Sequence, residues 1–306
     1  MGTVVANVET LINIAAAAEG RPVTHKTLTI AGAVHEPTTI TVPLGTNLRD
    51  CIAAAGGVST PDPVGCLGGM MMGEVIENFD RPVIKTTGGL IVLPRSHRIM
   101  QRKLKPAAQQ NAIGKSACDQ CRYCTEYCPR YLLGYAVEPD QVMRSLAFTA
   151  SGTERLNQWA SLCCACGLCT LFACPEELFP KEACDHSKVE MKKAGYKWSG
   201  TTMVKPHAMR DGRRVPIKSL MRKLHIVQYD HAAPMGSTVL EPQSVILALK
   251  QGAGSLAQAL VKRGDRVTAG QTVADVAETA LGAPVHAPFA AIVADVTAQA
   301  ITLNRI

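Results

Sequence analysis

Two runs of cysteines, each followed by a proline, are the part of this chain best suited to chemistry. The first has the spacing C-x2-C-x2-C-x3-C-P and consists of Cys118, Cys121, Cys124 and Cys128. The second, with the additional Cys164 set aside, has the spacing C-x2-C-x2-C-x4-C-P and consists of Cys163, Cys166, Cys169 and Cys174. Thiolates are soft ligands that suit iron, and a cubic [4Fe–4S] cluster takes one thiolate for each iron. Because three cysteines spaced three apart can surround three corners of a cube, the pattern predicts two such clusters.

The proline after each run indicates where the fourth ligand of each cluster comes from. In two-cluster ferredoxins, the cysteine before this proline binds the other cluster. We therefore predict one cluster on Cys118, Cys121, Cys124 and Cys174, and a second on Cys163, Cys166, Cys169 and Cys128. The x4 spacing makes the Cys169–Cys174 loop one residue longer than the ferredoxin run, so a cluster of another type stays open there. Structural zinc is the other alternative, but one zinc ion takes four ligands, whereas eight cysteines here form two sets of three plus one.

Length and composition limit what the rest of the chain can be. The 306 residues predict two or three domains, and the 47% of hydrophobic residues suffices for packed cores. Twelve cysteines without a signal peptide favour a reducing compartment, the cytoplasm. No run of 18 apolar residues predicts a membrane span. The formal charge of +7 falls to about +3 if two oxidised clusters with their thiolates carry about −4, which argues against nucleic acid as a partner.

Four cysteines and one basic run lie outside this pattern. We expect Cys51, Cys66, Cys164 and Cys184 to be buried, inert thiols, although Cys164 adjoins a predicted ligand and could exchange with it. The basic residues between Arg95 and Lys105 predict a solvated helical face; docking of an acidic partner or a phosphate-bearing cofactor is the alternative.

The elements around the cysteines predict an α+β multidomain fold with four parts. Residues 1–20 form a short lead-in helix. Residues 21–100 contain a hairpin, a helix that begins at Thr46 or Asn47 and further strands, which is the order of a β-grasp domain. Residues 101–233 are helical and loop-rich around the cysteines, with an irregular basic stretch over 197–233. Residues 234–306 return to short strands, in a V-x-x-G-D-x-V-x-x-G-Q pattern that resembles the sandwich of biotinyl and lipoyl domains, without an evident attachment lysine.

The order of these parts resembles a known family. The residues that carry the resemblance are Asn7-Val-Glu-Thr10, Gly68-Gly-Met-Met-Met-Gly73, Lys85-Thr-Thr-Gly-Gly-Leu-Ile-Val-Leu-Pro94, the two cysteine runs and Leu281-Gly-Ala-Pro-Val-His286. Together they closely resemble the cobalamin reductases of propanediol-utilisation microcompartments. More distantly they are similar to the C subunit of the Rnf ion-translocating complex and to the flavin subunit of respiratory NADH dehydrogenase.

The resemblance implies a fold, cofactors and a reaction. It implies a β-grasp domain of the SLBB type, a ferredoxin-type domain with two [4Fe–4S] clusters and a barrel-sandwich hybrid domain. NADH would reduce FMN, and the clusters would carry single electrons from FMN to a corrinoid, taking cob(III)alamin or cob(II)alamin to cob(I)alamin. Residues 1–20 would correspond to the end of the flavin domain, with Asn7 and Thr10 at FMN. We therefore expect this chain to bind FMN or NADH weakly by itself.

The resemblance also implies partners and leaves two other functions open. A cobalamin adenosyltransferase and microcompartment shell proteins are the implied partners, and the implied location is in or at a bacterial microcompartment. One alternative is an electron-wiring subunit of an Rnf-type or NADH dehydrogenase-like complex. The other is a partner-docking module without turnover of its own. No catalytic side chain is predicted in any of these.

Overall fold

A computed structural model describes residues 4–147, 157–200, 204–236 and 239–306. Its contacts divide the chain into two units. One is drawn from Met1–Gly69, Glu74–Arg95 and His231–Ile306, and the other from Met70–Gly73 and Ser96–Asp230. The strands lie in the first unit and the cysteine runs in the second, so the fold mixes helix and sheet as expected. None of the helices in the described ranges is long and apolar enough to cross a membrane.

The first unit contains a five-stranded mixed sheet with the order β2-β1-β5-β3-β4. Its elements are α1 (Val8–Ala18), β1 (His25–Gly32), β2 (Thr38–Pro43), α2 (Leu48–Ala54), β3 (Pro63–Leu67), β4 (Glu74–Ile76) and β5 (Gly89–Pro94). The predicted hairpin is confirmed, because β1 pairs with β2 in antiparallel register, and β1 is parallel to β5. Asn47 caps α2 through a hydrogen bond from the amide of Arg49 at 2.9 Å. Alternate residues of β1 are buried, as one packed face requires.

Two smaller sheets make up the rest of this unit. Their strands are β6 (Ser244–Ala248), β7 (Gln258–Ala259), β8 (Arg266–Val267), β9 (Thr272–Asp275), β10 (Val285–His286), β11 (Ala291–Val296) and β12 (Ala300–Arg305). One sheet has the order β10-β9-β7 and the other β6-β12-β11-β8. Side chains from both, such as Val273, Leu247 and Leu303, share one aliphatic core. This is the predicted sandwich of short strands.

The second unit is helical. Its helices are α3 (Arg98–Lys103), α4 (Ala107–Ala117), α5 (Tyr123–Glu126), α6 (Pro129–Leu132), α7 (Pro139–Ser145), α8 (Pro180–Lys193) and α9 (Ile217–Lys223). Short 3-10 turns cover Gln158–Ala160, Ala208–Arg213 and Val227–Tyr229, and a π-helical turn covers Cys169–Ala173. A small core of buried residues includes Val142 of α7 with Ala183 and Cys184 of α8.

One expectation for this unit was wrong, and a second was right only in part. The stretch 197–233 was expected to be irregular, yet α9 forms immediately after Pro216, which is its N-cap. A proline at the start of a helix removes only an amide that has no intrahelical partner there, so it need not break the helix.

The basic run is a solvated face only in part, because Arg98 is exposed whereas Arg102 and Lys103 are half-buried. Arg98 pairs with Glu177, and Lys103 Nζ donates to the carbonyl of Gly73 at 3.1 Å. Arg102 Nη2 donates to the carbonyls of Thr170, Glu177 and Leu178 at 3.0, 2.9 and 3.2 Å. Burial is also the largest effect on the pKa of Arg102, and it lowers that pKa. Arg102 is therefore an internal brace across the second cysteine run and is not part of a solvated face.

Candidate metal centre

The two cysteine triplets are built on the same backbone turn. In each loop, the residues two and four positions after the first cysteine have positive φ. They are Gln120 (60°) and Arg122 (67°) in the first loop and Ala165 (55°) and Gly167 (78°) in the second. For a residue with a side chain, the left-handed region costs about 1–2 kcal/mol. Such strain is retained mainly at functional sites. The repeated conformation therefore indicates that both loops shape the same kind of site.

The fourth cysteine of each run leaves its loop in the same conformation. Cys128 has φ −69° and ψ 118°, and Cys174 has φ −71° and ψ 119°. The additional residue of the second run lies within the π-helical turn, where the amide of Cys174 donates to the carbonyl of Cys169 at 3.1 Å. A π turn spans five residues and so takes in one residue more than an α turn. The x4 spacing is thereby absorbed locally.

Four thiols from both runs surround one cavity. Cys118, Cys121, Cys124 and Cys174 all line it, together with Arg122 and Asp140 and with apolar side chains that include Leu178. The amide of Leu178 points at Cys174 Sγ at 3.4 Å. Cys174 comes from the second run, so the chain brings its thiol to the triplet of the first run, and ligation of one cluster by these four thiols stays a prediction.

The other four thiols lie close to one another. Burial raises the pKa of Cys128 to about 11, and the thiols of Cys163 and Cys166 add to that rise. Burial likewise raises the pKa of Cys169, with further contributions from Cys124, Cys128, Cys163 and Cys166. Cys128 is therefore near the second triplet although it belongs to the first run. The Cys124 thiol of the first group also raises the pKa of Cys169, so the two groups of thiols lie near each other.

The surroundings keep most of these thiols protonated in the absence of a cation. Burial raises the pKa of four of these thiols and is the largest effect on each pKa. They are Cys121, Cys124, Cys166 and Cys174. A buried thiolate is costly unless positive charge compensates it. Metal ligation removes the proton and supplies that charge, so binding of iron releases protons from these groups.

Cys163 is the exception. A hydrogen bond from Cys184 is the largest effect and lowers the pKa of Cys163 to about 6, helped by the amide of Ala165 and the charge of Lys188 and opposed by burial and the charge of Asp185. The amide of Ala165 lies 3.3 Å from Cys163 Sγ, and Lys188 Nζ donates to the carbonyl of Cys163 at 2.9 Å. Cys184 is buried, as expected, but it contacts a predicted ligand and is therefore not a bystander.

That contact could have been found only in part from the sequence. Cys184 and Lys188 are four residues apart and share one face of α8. The spacing does not say which neighbour that face meets. Of the other thiols outside the pattern, Cys164 is exposed, so the expectation that it is buried was wrong, whereas Cys51 is buried and burial raises its pKa to about 12. Cys66 is also buried and its thiol donates to the carbonyl of Gly69 at 3.1 Å.

A carboxylate distinguishes the first group of thiols. Asp140 is buried, its amide donates to Thr125 Oγ1 at 3.1 Å, and its Oδ2 lies 3.5 Å from Arg122 Nε. After burial, Asp140 is the next largest effect that raises the pKa of Cys124. The Asp140 carboxylate, paired with Arg122, therefore lies beside the first group, whereas Cys163 has the Cys184 thiol beside it and the opposite charges of Lys188 and Asp185.

The donor set fits a pair of four-iron clusters. Eight thiols fall into two sets of four, and backbone amides at Ala165 and Leu178 point at sulfur in each set. Within the described residues, no three His, Cys, Asp or Glu side chains converge on a point that could hold a single metal ion. A cubic cluster does not require such convergence, because each of its four thiolates binds a different iron.

The predicted flavin contacts lie in the other unit. Asn7 is the N-cap of α1 and accepts a hydrogen bond from the amide of Glu9 at 2.9 Å. Glu9 pairs with Lys26, whose side chain is 7% exposed. Thr10 is exposed in the first turn of α1. Asn7 thus caps a helix, and contact of Asn7 and Thr10 with FMN stays a prediction.

Comparison with known families assigns three segments. Residues 117–179 match the 4Fe-4S dicluster domain, residues 27–75 match the SLBB domain, and residues 231–305 match the RnfC barrel sandwich hybrid domain. The three domain types expected from the sequence are therefore confirmed. The dicluster match includes both cysteine runs.

Similar proteins extend the match to the whole chain. The chain is 41% identical to the cobalamin reductase PduS of Salmonella typhimurium and 40% identical to that of Citrobacter freundii, in each case over 100% of this chain and 68% of the relative. It is 35% identical over 135 residues to the C subunit of the proton-translocating ferredoxin:NAD(+) oxidoreductase complex of Clostridium ljungdahlii, which covers 43% of this chain and 27% of that relative. The chain belongs to the PduS cobalamin reductase family.

Proposed function

We propose that this chain carries single electrons through two [4Fe–4S] clusters. One is ligated by Cys118, Cys121, Cys124 and Cys174, and the other by Cys163, Cys166, Cys169 and Cys128. The observation that carries the proposal is the cavity lined by three thiols of the first run and by Cys174 of the second. Crossed ligation of this kind ties the two runs together and keeps two one-electron centres adjacent.

The residues of the chain would position the clusters and set their potentials. Each bound cluster supplies a centre that can accept and release one electron. Buried side chains such as Leu171, Leu178 and Cys169 exclude water from the sulfur atoms. Amides that point at sulfur stabilise the more negative, reduced form of a cluster, and burial opposes it. Hydrogen bonds and burial are thus the means by which the protein sets the direction of electron flow.

We further propose a corrinoid as the electron acceptor. The similar proteins that cover the whole chain are called cobalamin reductases, which supports reduction of cob(III)alamin or cob(II)alamin to cob(I)alamin. Electrons would come from NADH through FMN, with Asn7 and Thr10 on the flavin side. An adenosyltransferase that consumes cob(I)alamin and shell proteins of a microcompartment are the proposed partners.

The test starts with protein purified without oxygen. We expect about eight irons and eight sulfides per chain. Protein reduced with dithionite and freed of excess reductant should lose its reduced-cluster signal on addition of cob(III)alamin, with matching formation of cob(II)alamin in the optical spectrum. Protein with full iron content that leaves the corrinoid unchanged would contradict the reductase proposal while leaving the clusters in place. NADH with and without added FMN then tests the source of the electrons.

A second function is favoured by one observation. The match to the C subunit of an ion-translocating complex supports an electron-wiring role in a membrane-associated assembly. The chain would then sediment with membranes and exchange electrons with a reduced ferredoxin faster than with a corrinoid.

A further inference from the structure

We propose that a cavity at the carboxyl end of α8 binds a small aromatic molecule that carries a phosphate group. The cavity has a volume of about 370 Å³. Its lining residues are Ser161, Lys188, Met191, Lys192, Gly195, Tyr196, Lys197 and Trp198. The volume lies in the range of small-molecule sites, roughly 300–1,000 Å³, and is too small for a folded partner. The site is separate from the eight predicted cluster ligands, so the proposal goes beyond the function proposed above.

Among the described residues, the lysines of this cavity have no acidic partner. Three of the lining residues are lysines, and Lys192 and Lys197 take part in none of the ion pairs found among the described residues. The closest acidic residues along α8 are already paired, Asp185 with Lys181 at 2.7 Å and Glu190 with Lys193 at 2.9 Å. Lysine is charged at neutral pH and serves as a compact point charge for phosphate. The ligand should therefore be an anion.

The rest of the wall is apolar and aromatic. Tyr196 and Trp198 lie in the cavity lining with Met191, and neither ring takes part in the ring–ring or cation–π contacts found in the described ranges. An inorganic anion alone would leave these surfaces uncovered. A planar aromatic ring would cover them, because flat rings stack on aromatic side chains without needing a particular hydrogen-bond pattern.

The cavity is formed before a ligand arrives. Gly195 has φ 71°, the left-handed conformation that reverses the chain after a helix. The amide of Gly195 donates to the carbonyl of Lys192 at 3.1 Å, and the amide of Tyr196 donates to the carbonyl of Met191 at 2.9 Å. These bonds hold the segment that carries Tyr196 against the end of α8. A preformed site loses less conformational entropy on binding.

The position of the cavity connects it to the predicted Cys163 cluster. Lys188 lines the cavity, and its Nζ donates to the carbonyl of Cys163. Ser161 lines it two residues before Cys163. A molecule bound there is one side chain away from a predicted cluster ligand.

The test is equilibrium binding to the full, cluster-loaded chain. AMP and FMN serve as aromatic phosphates, adenosine and riboflavin as the same rings without phosphate, and inorganic phosphate as the anion alone. We expect at least one of AMP and FMN to bind, and at least tenfold more tightly than its unphosphorylated partner and than inorganic phosphate. The double variant Lys192→Glu/Lys197→Glu, and separately Trp198→Ala, should each weaken that binding at least tenfold. Lys115→Glu, an exposed lysine of α4, is the matched control and should leave it unchanged.

Iron content separates this result from the cluster proposal. It is measured in every variant, so a loss of binding with full iron content reports on the cavity alone. The proposal is overturned if neither AMP nor FMN binds, or if binding is the same in the lysine and Trp198 variants. It is also overturned if inorganic phosphate binds as tightly as the aromatic phosphates, or if only acidic peptides compete for the surface.

Discussion

The two groups of thiols have nearly the same backbone and different surroundings. Both loops place left-handed residues two and four positions after the first cysteine, and both fourth cysteines have φ near −70° and ψ near 118°. Beside the first group lies the buried carboxylate of Asp140. Beside the second lie the Cys184 thiol and the opposite charges of Lys188 and Asp185. One scaffold, used twice, can thus hold two centres with different affinities for an electron.

The difference has a direction. A carboxylate near a cluster disfavours an added electron, whereas a cation or a hydrogen-bond donor near sulfur favours it. The charges oppose each other in both groups, so the Cys184 donor is the distinguishing contact. We therefore expect the cluster on Cys163 to have the higher potential, so that an electron would move from the Cys118 cluster towards the Cys163 cluster. Variants that remove one contact at a time test this difference between the two groups. Loss of a ligand should have the largest effect.

Removal of a ligand should empty one site and spare the other. In Cys121→Ala we expect a loss of about four of about eight irons, because one cube holds four. Cys164→Ala is the control, since Cys164 is an exposed cysteine beside the second triplet and outside the predicted set. Iron and sulfide analysis of anaerobic protein measures both. Equal iron loss in the two variants would show that the ligand set is wrong.

Loss of Arg102 should weaken the connection between the two sites. Its guanidinium binds carbonyls on both sides of Cys174, at Thr170, Glu177 and Leu178. We expect Arg102→Met to lower the free energy of unfolding by roughly 2–3 kcal/mol, as for hydrogen bonds from a charged group. Iron should leave the Cys118 site first, because Cys174 is its predicted fourth ligand.

The control for that change is Arg98→Met. Arg98 forms an exposed pair with Glu177, with 49% of its side chain accessible. Exposed pairs contribute about 0–1 kcal/mol. Denaturant unfolding compares the two variants, and an equal loss of stability would mean that the carbonyl contacts of Arg102 contribute little.

Loss of the Cys184 donor should bring the two potentials closer. We expect Cys184→Ala to lower the potential of the Cys163 cluster by tens of mV, which corresponds to about 1 kcal/mol for one hydrogen bond and one electron. Cys184→Ser keeps a donor and should shift the potential less. Potentiometric titration followed by EPR gives both values. If both variants shifted the potential equally, packing and not the hydrogen bond would be the cause.

The smallest effect concerns the strained turn. Ala165 has φ 55°, which glycine adopts without strain, so Ala165→Gly should raise the stability of the metal-free chain by up to about 1 kcal/mol. In Ala173→Gly, within the π-helical turn, glycine offers no such relief and stability should fall by about 1 kcal/mol. A fall in both variants would mean that the left-handed turn is not strained.

Sequence reasoning succeeded where spacing alone decides the result. Alternation of polar and apolar residues predicts the hairpin of β1 and β2, which the structure contains. The ligand sets that the cysteine intervals and the two prolines indicate stay a prediction. Reasoning failed where the outcome depends on what a face meets after folding. The charge of Arg102 suggested solvent, but three carbonyls lie within reach. The helical spacing of Cys184 and Lys188 was visible, yet nothing local says that their face meets Cys163. The x4 spacing signalled a longer loop without revealing the π turn that absorbs it.

Crossed ligation underlies the proposed electron path, and one set of EPR spectra can decide whether it occurs. Reduced, oxygen-free Cys118→Ala and Cys174→Ala should each lose the same cluster and retain a signal with the potential of the Cys163 cluster, whereas Cys128→Ala and Cys163→Ala should lose the other cluster. If Cys174→Ala instead lost the same signal as Cys163→Ala, each run would ligate its own cluster, and the crossed arrangement would be wrong.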